Sequence, residues 1–300
     1  MISVLFFLFY FDHALKTRDG LIVAKNMMTF VLPLFLSLLL LVNTQSDTPP
    51  IASYVQSDSY WPNNYQAAIS LTFDDACFSQ VDTGLPILDR YGVRASFYVS
   101  IWSCAQRKEG WLSALEKGHE IGNHTNKHPC TGSYGRESHL TLEEYNLRKI
   151  KTDIREADQR IEDLLHEKPL TFAYPCGQKF IGSGKKARSY IPFVANHFLA
   201  GRSYLDEGPN DPNRLDLSNV LGVSMDDKSF EEILPMLEQA REKGFWLVLV
   251  GHHVGKGGPL TTRSETLHQI IQYAQQNDRD FWIAPIKEVA FFVKQKKSGK

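Results

Sequence analysis

Short apolar segments alternate with longer amphipathic segments from about residue 66 to the end of the chain. Apolar runs of a few residues, bounded by polar or glycine-rich stretches, predict buried strands, and amphipathic stretches between them predict helices. The predicted strands span residues 67–73, 94–100, 119–122, 170–174, 198–202, 219–224, 245–250 and 281–284.

Three of the predicted helices have a glycine where a helix usually ends. Gly92, Gly118 and Gly244 each lie one or two residues before a predicted strand. Glycine adopts, without steric cost, the left-handed backbone conformation that closes many helices. These glycines therefore predict where three helices stop.

The longest predicted helix spans residues 142–167 and begins with a capping box formed by Thr141 and Glu144. Its apolar residues recur every three or four positions, which places them on one face. Strands that alternate with helices imply βαβ units and a parallel sheet. Seven or eight such units between residues 66 and 295 predict an α/β fold, a distorted (β/α) barrel of about seven parallel strands.

The N-terminal residues differ from the rest of the chain. Residues 28–42 are an apolar run, short for a membrane span of about 20 residues but typical of a signal-peptide core. We predict that residues 1–44 are a signal peptide or an N-terminal membrane anchor, residues 45–65 a linker or capping segment, and residues 66–295 one domain. Export is expected, to the periplasm, cell envelope or exterior, with membrane contact only through an uncleaved N-terminal segment.

The charge balance argues against nucleic-acid binding. Lys and Arg number 33 against 34 Asp and Glu in 300 residues, a formal net charge of −1. Such a chain has no excess positive charge to attract phosphate backbones. We therefore expect no nucleic-acid partner.

Reactive side chains directly follow four of the predicted strands. The parallel strands of a barrel end at one rim, where the active sites of such folds lie. The residues at this rim are Asp74, Asp75, His124, His128, Pro175, Cys176, His252 and His253. Two carboxylates and several imidazoles at one rim predict a catalytic site.

Two of these histidines have a metal-ligand spacing. His124 and His128 are four residues apart, so both imidazoles can face one ion if the segment turns helically. One carboxylate of the pair Asp74 and Asp75 would complete a set of two histidines and one acid, and the other would act as general base. The alternative, a helix cap and loop histidines, explains each motif alone but not their combination.

The sequence reads TFDD at residues 72–75, HTNKH at residues 124–128, and an apolar strand followed by histidine at residues 247–252. These three motifs resemble those of the polysaccharide deacetylases, also named NodB-homology or carbohydrate esterase family 4 enzymes. The resemblance extends over about residues 66–290. It implies a distorted (β/α) barrel of NodB type and metal-dependent hydrolysis of acetyl groups on sugars, usually N-acetyl and sometimes O-acetyl.

The resemblance also implies roles for single residues. Asp75, His124 and His128 would bind the metal, and Asp74 would be the catalytic base. Zinc is the expected ion for histidine and carboxylate ligands, with cobalt, nickel and manganese as alternatives.

A histidine is expected to act as the catalytic acid. His252 would protonate the departing amine or alcohol, and its neighbour His253 is the competing assignment. An acidic residue usually supports this histidine in the family, and Asp226 and Asp227, which follow a predicted strand, are the nearest match.

The third motif departs from the family pattern, which often reads Arg-x-Pro-Tyr. Here Ala173 stands at the arginine position, followed by Tyr174, Pro175 and Cys176. Arg202, at the end of another predicted strand, is expected to replace the missing arginine beside the catalytic aspartate. By resemblance, the Cys176 N–H would hold the oxyanion. The four residues Tyr174, Pro175, Cys176 and Arg202 would form the substrate and oxyanion side of the site.

All four cysteines fall near the predicted rim. Tight Cys-x-x-Cys pairs, which cysteine-bound zinc favours, are absent from the sequence, and a nucleophilic cysteine would leave the histidines and aspartates unexplained. In an exported protein we expect disulfides, Cys130–Cys176 first and Cys77–Cys104 second. Buried free thiols are the alternative.

The combined prediction is a metal-dependent hydrolase that removes acetyl groups, N-acetyl rather than O-acetyl, from a polysaccharide such as chitin, peptidoglycan or xylan. An acetylated glycan is the expected partner, and Trp102 and Tyr134 are the aromatic residues best placed to contact sugar rings. Two other classes stay open: a catalytically silent NodB-like domain that binds carbohydrate, and an amidase acting on C–N bonds outside sugars.

Overall fold

The computed structural model describes residues 59–135, 137–277 and 279–299, which belong to one compact unit. The predicted signal peptide or anchor, residues 1–44, and most of the predicted linker, residues 45–65, lie outside the described residues, so these assignments stay predictions. Among the described helices, none is long and apolar enough to cross a membrane.

Strands and helices alternate through most of the described region. The strands are β1 Ala67–Asp74, β2 Ser96–Val99, β3 Glu120–Asn123, β4 Thr171–Ala173, β5 Phe180–Ile181, β6 Arg188–Ser189, β7 Ala200–Arg202, β8 Val223–Ser224, β9 Trp246–Gly251, β10 His253–Gly255, β11 Thr261–Arg263 and β12 Phe281–Ile283. The α-helices are α1 Leu85–Arg90, α2 Ile101–Ala105, α3 Lys108–Glu116, α4 Leu147–Leu165, α5 Ile191–His197, α6 Phe230–Lys243, α7 Ser264–Gln275 and α8 Ile286–Lys297. A π-helical turn, Gln80–Gly84, leads into α1.

The main sheet is parallel throughout. Its strand order is β7-β4-β3-β2-β1-β9-β8, and β12 pairs with the first residues of β1. An isolated parallel bridge from Arg202 to Val220 links the β7 edge to the segment before β8. The sheet curls into a half-barrel, and the predicted distorted (β/α) barrel of about seven parallel strands is confirmed.

Each of the eight predicted strands forms part of this sheet, although several are shorter than expected. β8, for example, contains only Val223–Ser224, because the preceding Val220 pairs with the opposite edge of the sheet. The short ladders β5–β6 and β10–β11 were not predicted, since strands of two or three residues carry no periodic signal.

The alternation of side chains along β1 separates two cores. Residues 67, 69, 71 and 73 pack into the large outer core beneath the helices, and Ala68 packs into an inner core together with residues of α8. Side chains of successive strand residues point to opposite faces. Asp74, at the end of β1, therefore points to the inner side, like Ala68.

The longest helix begins later than predicted. Residues 142–144 form a separate 3₁₀ turn, Tyr145 is extended, and α4 starts at Leu147 with Asn146 as its N-cap. The Leu142 N–H donates to the Cys130 carbonyl, and the Leu142 carbonyl accepts from the Gly182 N–H. These tertiary bonds hold the backbone out of a continuous helix, so the predicted capping box at Thr141 is wrong.

The predicted helix ends are confirmed. Gly92, Gly118 and Gly244 have φ values of 64°, 85° and 69°, in the left-handed region expected for residues that close a helix.

Candidate active site

Asp74 and Asp75 leave the end of β1 in different directions. Asp74 continues the strand, and its side chain is 3% exposed. Asp75 has a φ of 72°, and its side chain is 35% exposed. A left-handed conformation is costly for a residue other than glycine and persists mainly where function requires it. The two neighbouring acids thus have different surroundings, one buried and one open to the cleft.

The structure brings Asp75 together with the two histidines of the second motif. Asp75 Oδ1 lies 3.6 Å from His124 Nε2 and 3.4 Å from His128 Nε2, and the two Nε2 atoms are 3.1 Å apart. Three ligands at about 2.1 Å from a tetrahedral zinc ion lie roughly 3.4 Å from one another. The spacing of these donors therefore fits one divalent metal ion.

The orientation of His124 is fixed by its other ring nitrogen. Nδ1 lies 2.9 Å from the Ala173 carbonyl oxygen, which only accepts hydrogen bonds, so Nδ1 carries the proton. The lone pair of Nε2 then faces the other two donors. Metal-binding histidines commonly use their second nitrogen in this way.

The segment between the two histidines is a tight turn, not the helical turn considered from the spacing. Thr125 and His128 have φ values of 64° and 49°, and left-handed residues other than glycine cost about 1–3 kcal/mol each. The Thr125 N–H donates to Asn123 Oδ1 at 2.7 Å, and the His128 N–H donates to Thr125 Oγ1 at 3.0 Å. Side-chain hydrogen bonds thus maintain a strained backbone that brings both imidazoles to one point.

Asp74 forms a buried ion pair with Arg202. The Arg202 guanidinium donates to Asp74 Oδ1 and to the Ser203 carbonyl, and it lies 4.9 Å from the centre of the Tyr98 ring. Arg202 ends β7, where it stands in register with Ala173 of the neighbouring β4. The cation missing at position 173 is thus supplied from the adjacent strand, at the position anticipated for Arg202.

The charges around Asp74 keep it ionised. Burial alone would raise the pKa of this carboxyl group, but Arg202, followed by His124 and His252, lowers it below its ordinary value. Asp74 Oδ2 lies 3.9 Å from His124 Nε2. A buried carboxylate that stays charged next to the three donors has the protonation state required of a general base.

His252 is held by Asp226. Its Nδ1 donates to Asp226 Oδ2 at 2.6 Å, and Thr262 Oγ1 donates to the other oxygen of this carboxylate at 3.0 Å. Burial lowers the pKa of His252, but the hydrogen bond to Asp226 and the charge of Asp74 raise it above its ordinary value overall. The ring therefore tends to be protonated, with Nε2 left for a substrate.

The competing residues at this side of the rim have other contacts. His253 is exposed, and its Nδ1 lies 3.2 Å from Ser79 Oγ. Asp227 accepts from Arg263 and from the Gly258 N–H in the surface loop. His252 rather than His253, and Asp226 rather than Asp227, therefore lie on the cleft side.

The third motif contributes fewer side chains to the cleft than expected. The Tyr174 side chain is fully buried, and its hydroxyl donates to the Ser218 carbonyl at 2.7 Å. Pro175 is buried as well, and Arg202 has no exposed surface. The side chains of these residues therefore do not reach the cleft, whereas Cys176, with a φ of 54°, lines it.

Cys130 and Cys176 form a disulfide. It joins the segment after His128 to the third motif, so two sides of the cleft are covalently linked. Cys77 and Cys104 are free thiols, and the second predicted disulfide is wrong. Cys104 packs in the outer core, whereas Cys77 lies near the Asp74 carbonyl, and burial raises the pKa of each thiol to about 12.

A cleft of about 360 Å³ opens over these groups. Exposed Tyr134, Leu205 and Leu260 line it together with Tyr204, in addition to the residues of the motifs. Trp102 is exposed but stacks on Phe78 and does not line this cleft. Of the two aromatic residues favoured for sugar contact, only Tyr134 is placed there.

One buried residue at the site had no sequence signal. Gln80, in the π-helical turn, donates from Nε2 to the Asp74 carbonyl at 2.5 Å and to the His252 carbonyl at 2.9 Å. It connects the backbones of the two residues expected to transfer protons. A lone glutamine six residues after an aspartate belongs to no motif, so only the structure identifies it.

Comparison with known proteins points to the same family as the sequence motifs. Residues 63–189 match the family model for polysaccharide deacetylase. A gellan lyase from Bacillus sp is 28% identical over 171 residues, which are 57% of this chain but 6% of that protein, so the chain spans a small fraction of that relative's length.

Two solved structures share the fold. A putative polysaccharide deacetylase from Mycobacterium smegmatis has a TM-score of 0.56 and 19% identity, covering 79% of this chain and 93% of that chain. A probable polysaccharide deacetylase from Pseudomonas aeruginosa PAO1 has a TM-score of 0.57 and 15% identity, covering 80% of this chain and 95% of that chain. The family match over residues 63–189 and the shared fold thus support the resemblance to the polysaccharide deacetylases.

Proposed function

We propose that the cleft hydrolyses acetyl groups on sugar residues of a glycan, with one divalent metal ion held by Asp75, His124 and His128. The observation that supports this most strongly is the mutual approach of these three donors within 4.8 Å, directly beside the buried carboxylate of Asp74. A histidine paired with an acid, His252, lines the same cleft. This arrangement suits hydrolysis by an activated water.

The ion would supply a water of lowered pKa and polarise the acetyl carbonyl. Asp74 accepts the proton of the attacking water, and Arg202 keeps this aspartate charged and oriented until then. The Cys176 N–H, in a turn joined to residue 130 by the disulfide, would hold the developing oxyanion. Zinc suits two imidazoles and one carboxylate, as do cobalt, nickel and manganese.

His252 completes the proton transfer. Asp226 holds its Nδ1, so Nε2 is the atom that donates a proton to the departing nitrogen or oxygen. Its raised pKa favours the protonated form in which it must start. An amine leaving group needs such a donor more than an alcohol does, which favours N-acetyl substrates.

The lining of the cleft suits a glycan. Tyr134 is 58% exposed, and the apolar side chains of Leu205 and Leu260 are exposed beside it. Aromatic and apolar surfaces next to polar catalytic groups match sugar rings and acetyl methyl groups. We propose an N-acetylated polysaccharide such as chitin or peptidoglycan, with acetylated xylan as the ester alternative.

Acetate release tests the proposal. Purified protein is incubated with chitooligosaccharides, peptidoglycan fragments, acetylated xylan and simple non-sugar amides, after chelator treatment and again after added zinc. We expect metal-dependent acetate release from an N-acetylated glycan. Glycan binding without acetate release would favour the silent carbohydrate-binding domain, and hydrolysis of only the non-sugar amides would favour the amidase.

Two variants separate the roles of the acids. Asp74→Asn should lower kcat by at least about a hundredfold and still bind zinc, because general-base catalysis contributes about 10²–10⁴. Asp227→Asn is the matched control, since this exposed acid faces Arg263, and it should retain activity. Loss of zinc from Asp74→Asn would contradict the assigned roles.

We also propose that the protein is exported. The apolar run at residues 28–42 and the Cys130–Cys176 disulfide, which suits an oxidising compartment, support this. Fractionation of cells that express the full chain tests it, and protein found only in the cytoplasm with reduced cysteines would contradict it.

A further inference from the structure

The turn at residues 124–128 is supported by a buried amide. Asn123, the last residue of β3, is fully buried, and its side chain uses all of its hydrogen-bonding groups. Oδ1 accepts from the Thr125 N–H at 2.7 Å, and Nδ2 donates to the Ile154 carbonyl at 2.9 Å and to Asp158 Oδ1 at 2.7 Å. One amide thus connects the turn to helix α4.

The connection continues from Asp158 to the surface. Asp158 Oδ2 contacts His197 Nε2 at 2.6 Å, and the His197 ring, at the end of α5, stacks on Phe193. The Asp158 side chain is 16% exposed and that of His197 is 31% exposed. A continuous series of polar contacts therefore runs from Thr125 through Asn123 and Asp158 to His197.

This series determines which way the Asn123 amide points. If the amide turned over, Oδ1 would face the Asp158 carboxylate and the Ile154 carbonyl, three acceptors without a donor. The Thr125 N–H would then face an NH₂ group and lose its acceptor. Asp158, together with the Ile154 carbonyl, therefore holds the amide in the one orientation that supports the turn.

The turn depends on that support because its backbone is strained. Thr125 and His128 both have positive φ, and Thr125 Oγ1 accepts from the His128 N–H. Without the acceptor at Asn123, the left-handed conformation of Thr125 loses a hydrogen bond that stabilises it. Relaxation of Thr125 would carry His128 away from His124 and Asp75.

We propose that Asp158 and His197 are positioning residues that set the metal affinity of the site through Asn123. The inference rests on the proposed metal centre. Neither residue is among the three proposed ligands, so their effect passes through the orientation of one amide and the shape of one turn. Partners that orient ligands from outside a metal site typically change affinity by about 10–100-fold when removed.

Zinc dissociation constants of the full chain test the proposal, measured by competition with a chromophoric chelator, with thermal unfolding of the metal-free proteins recorded in parallel. Asp158→Ala should weaken zinc binding about tenfold. Asp158→Asn, which keeps a neutral acceptor, should weaken it about threefold, because hydrogen bonds to charged acceptors are roughly twice as strong as neutral ones. Asp163→Ala is the matched control on the exposed face of α4 and should bind zinc like the wild type.

The outcomes separate this inference from the proposed function. Zinc affinity of Asp158→Ala within twofold of the wild type would overturn the positioning role, whatever happens to its melting temperature. If Asp158→Ala does not fold, Asp158→Asn decides in the same way: a threefold loss supports the role and unchanged affinity overturns it. A wild-type protein that binds no zinc would instead overturn the metal centre itself.

Discussion

The buried pair of Asp74 and Arg202 offers the sharpest test of how the site is built. Replacing Arg202 by Met removes the cation and its contacts with the Ser203 carbonyl and the Tyr98 ring, and leaves the Asp74 carboxylate buried without its partner. Breaking a buried ion pair in this way costs about 3–5 kcal/mol. In a domain of this size each 1 kcal/mol shifts Tm by about 2–4 °C, so we expect a fall on the order of 10 °C.

The pH dependence of this loss identifies its cause. The pKa of Asp74 lies below its ordinary value in the wild type, since the neighbouring cations outweigh burial. Its contribution to stability is therefore present above the unfolded pKa of about 3.9 and lost as the pH falls through the folded pKa. Without Arg202, burial should raise the pKa of Asp74, so the destabilisation should be large at pH 7 and smaller at pH 4.5.

Urea unfolding of the metal-free protein, followed by tryptophan fluorescence, measures the effect. Arg214→Met is the matched control, because the Arg214 side chain is 90% exposed, and it should change the free energy of unfolding by less than about 0.5 kcal/mol. Adding Asp74→Asn to Arg202→Met should recover part of the loss. A loss below about 1 kcal/mol at pH 7, or an equal loss at both pH values, would refute the reasoning.

Three further predictions concern the catalytic acid His252, the disulfide, and Asp153, a buried acid of α4. Asp226→Asn should lower the pKa of His252, so the basic limb of the kcat profile should move to lower pH, and an unchanged limb would contradict the role of His252 as acid. Replacing Cys130 and Cys176 by Ser opens a loop with a sequence separation of 46 residues and should cost about 4 kcal/mol in urea unfolding; a loss below about 1 kcal/mol would count against the disulfide. Burial raises the pKa of Asp153 to about 6, so this acid should destabilise the wild type as the pH rises from about 4 to 6. Asp153→Asn should therefore have a higher Tm than the wild type at pH 8 but not at pH 4. Equal Tm values of the two proteins at pH 8 would show that the charged Asp153 carboxylate does not destabilise the fold.

The strands and the ends of the strands could be predicted because local patterns determine them. The apolar run that ends in Asp74 and Asp75 is a buried strand leading to the rim, and parallel pairing alone brings this rim next to His124. The position of Arg202 was anticipated for the same reason, since its strand ends at the rim beside Ala173.

Features that depend on tertiary contacts could not be predicted. The helix start at Leu147 is set by backbone bonds from Leu142 to distant residues, which the periodicity of residues 142–167 does not reveal. Tyr174 looked like a substrate contact, but its hydroxyl bonds to the Ser218 carbonyl in the core. The link from Asn123 to Asp158 joins a strand and a helix that share no motif.

The pairing of β1 has a consequence for how the chain matures. β1 pairs with β9 and β12, which lie far downstream in the sequence: Ala68 pairs with Trp246, and Ala67 with Phe281. Contacts between distant parts of a chain form slowly, and apolar strands favour aggregation until they pair with their partner strands. A growing chain on the ribosome therefore cannot complete the pairing of its central strand until β9 and β12 have been made.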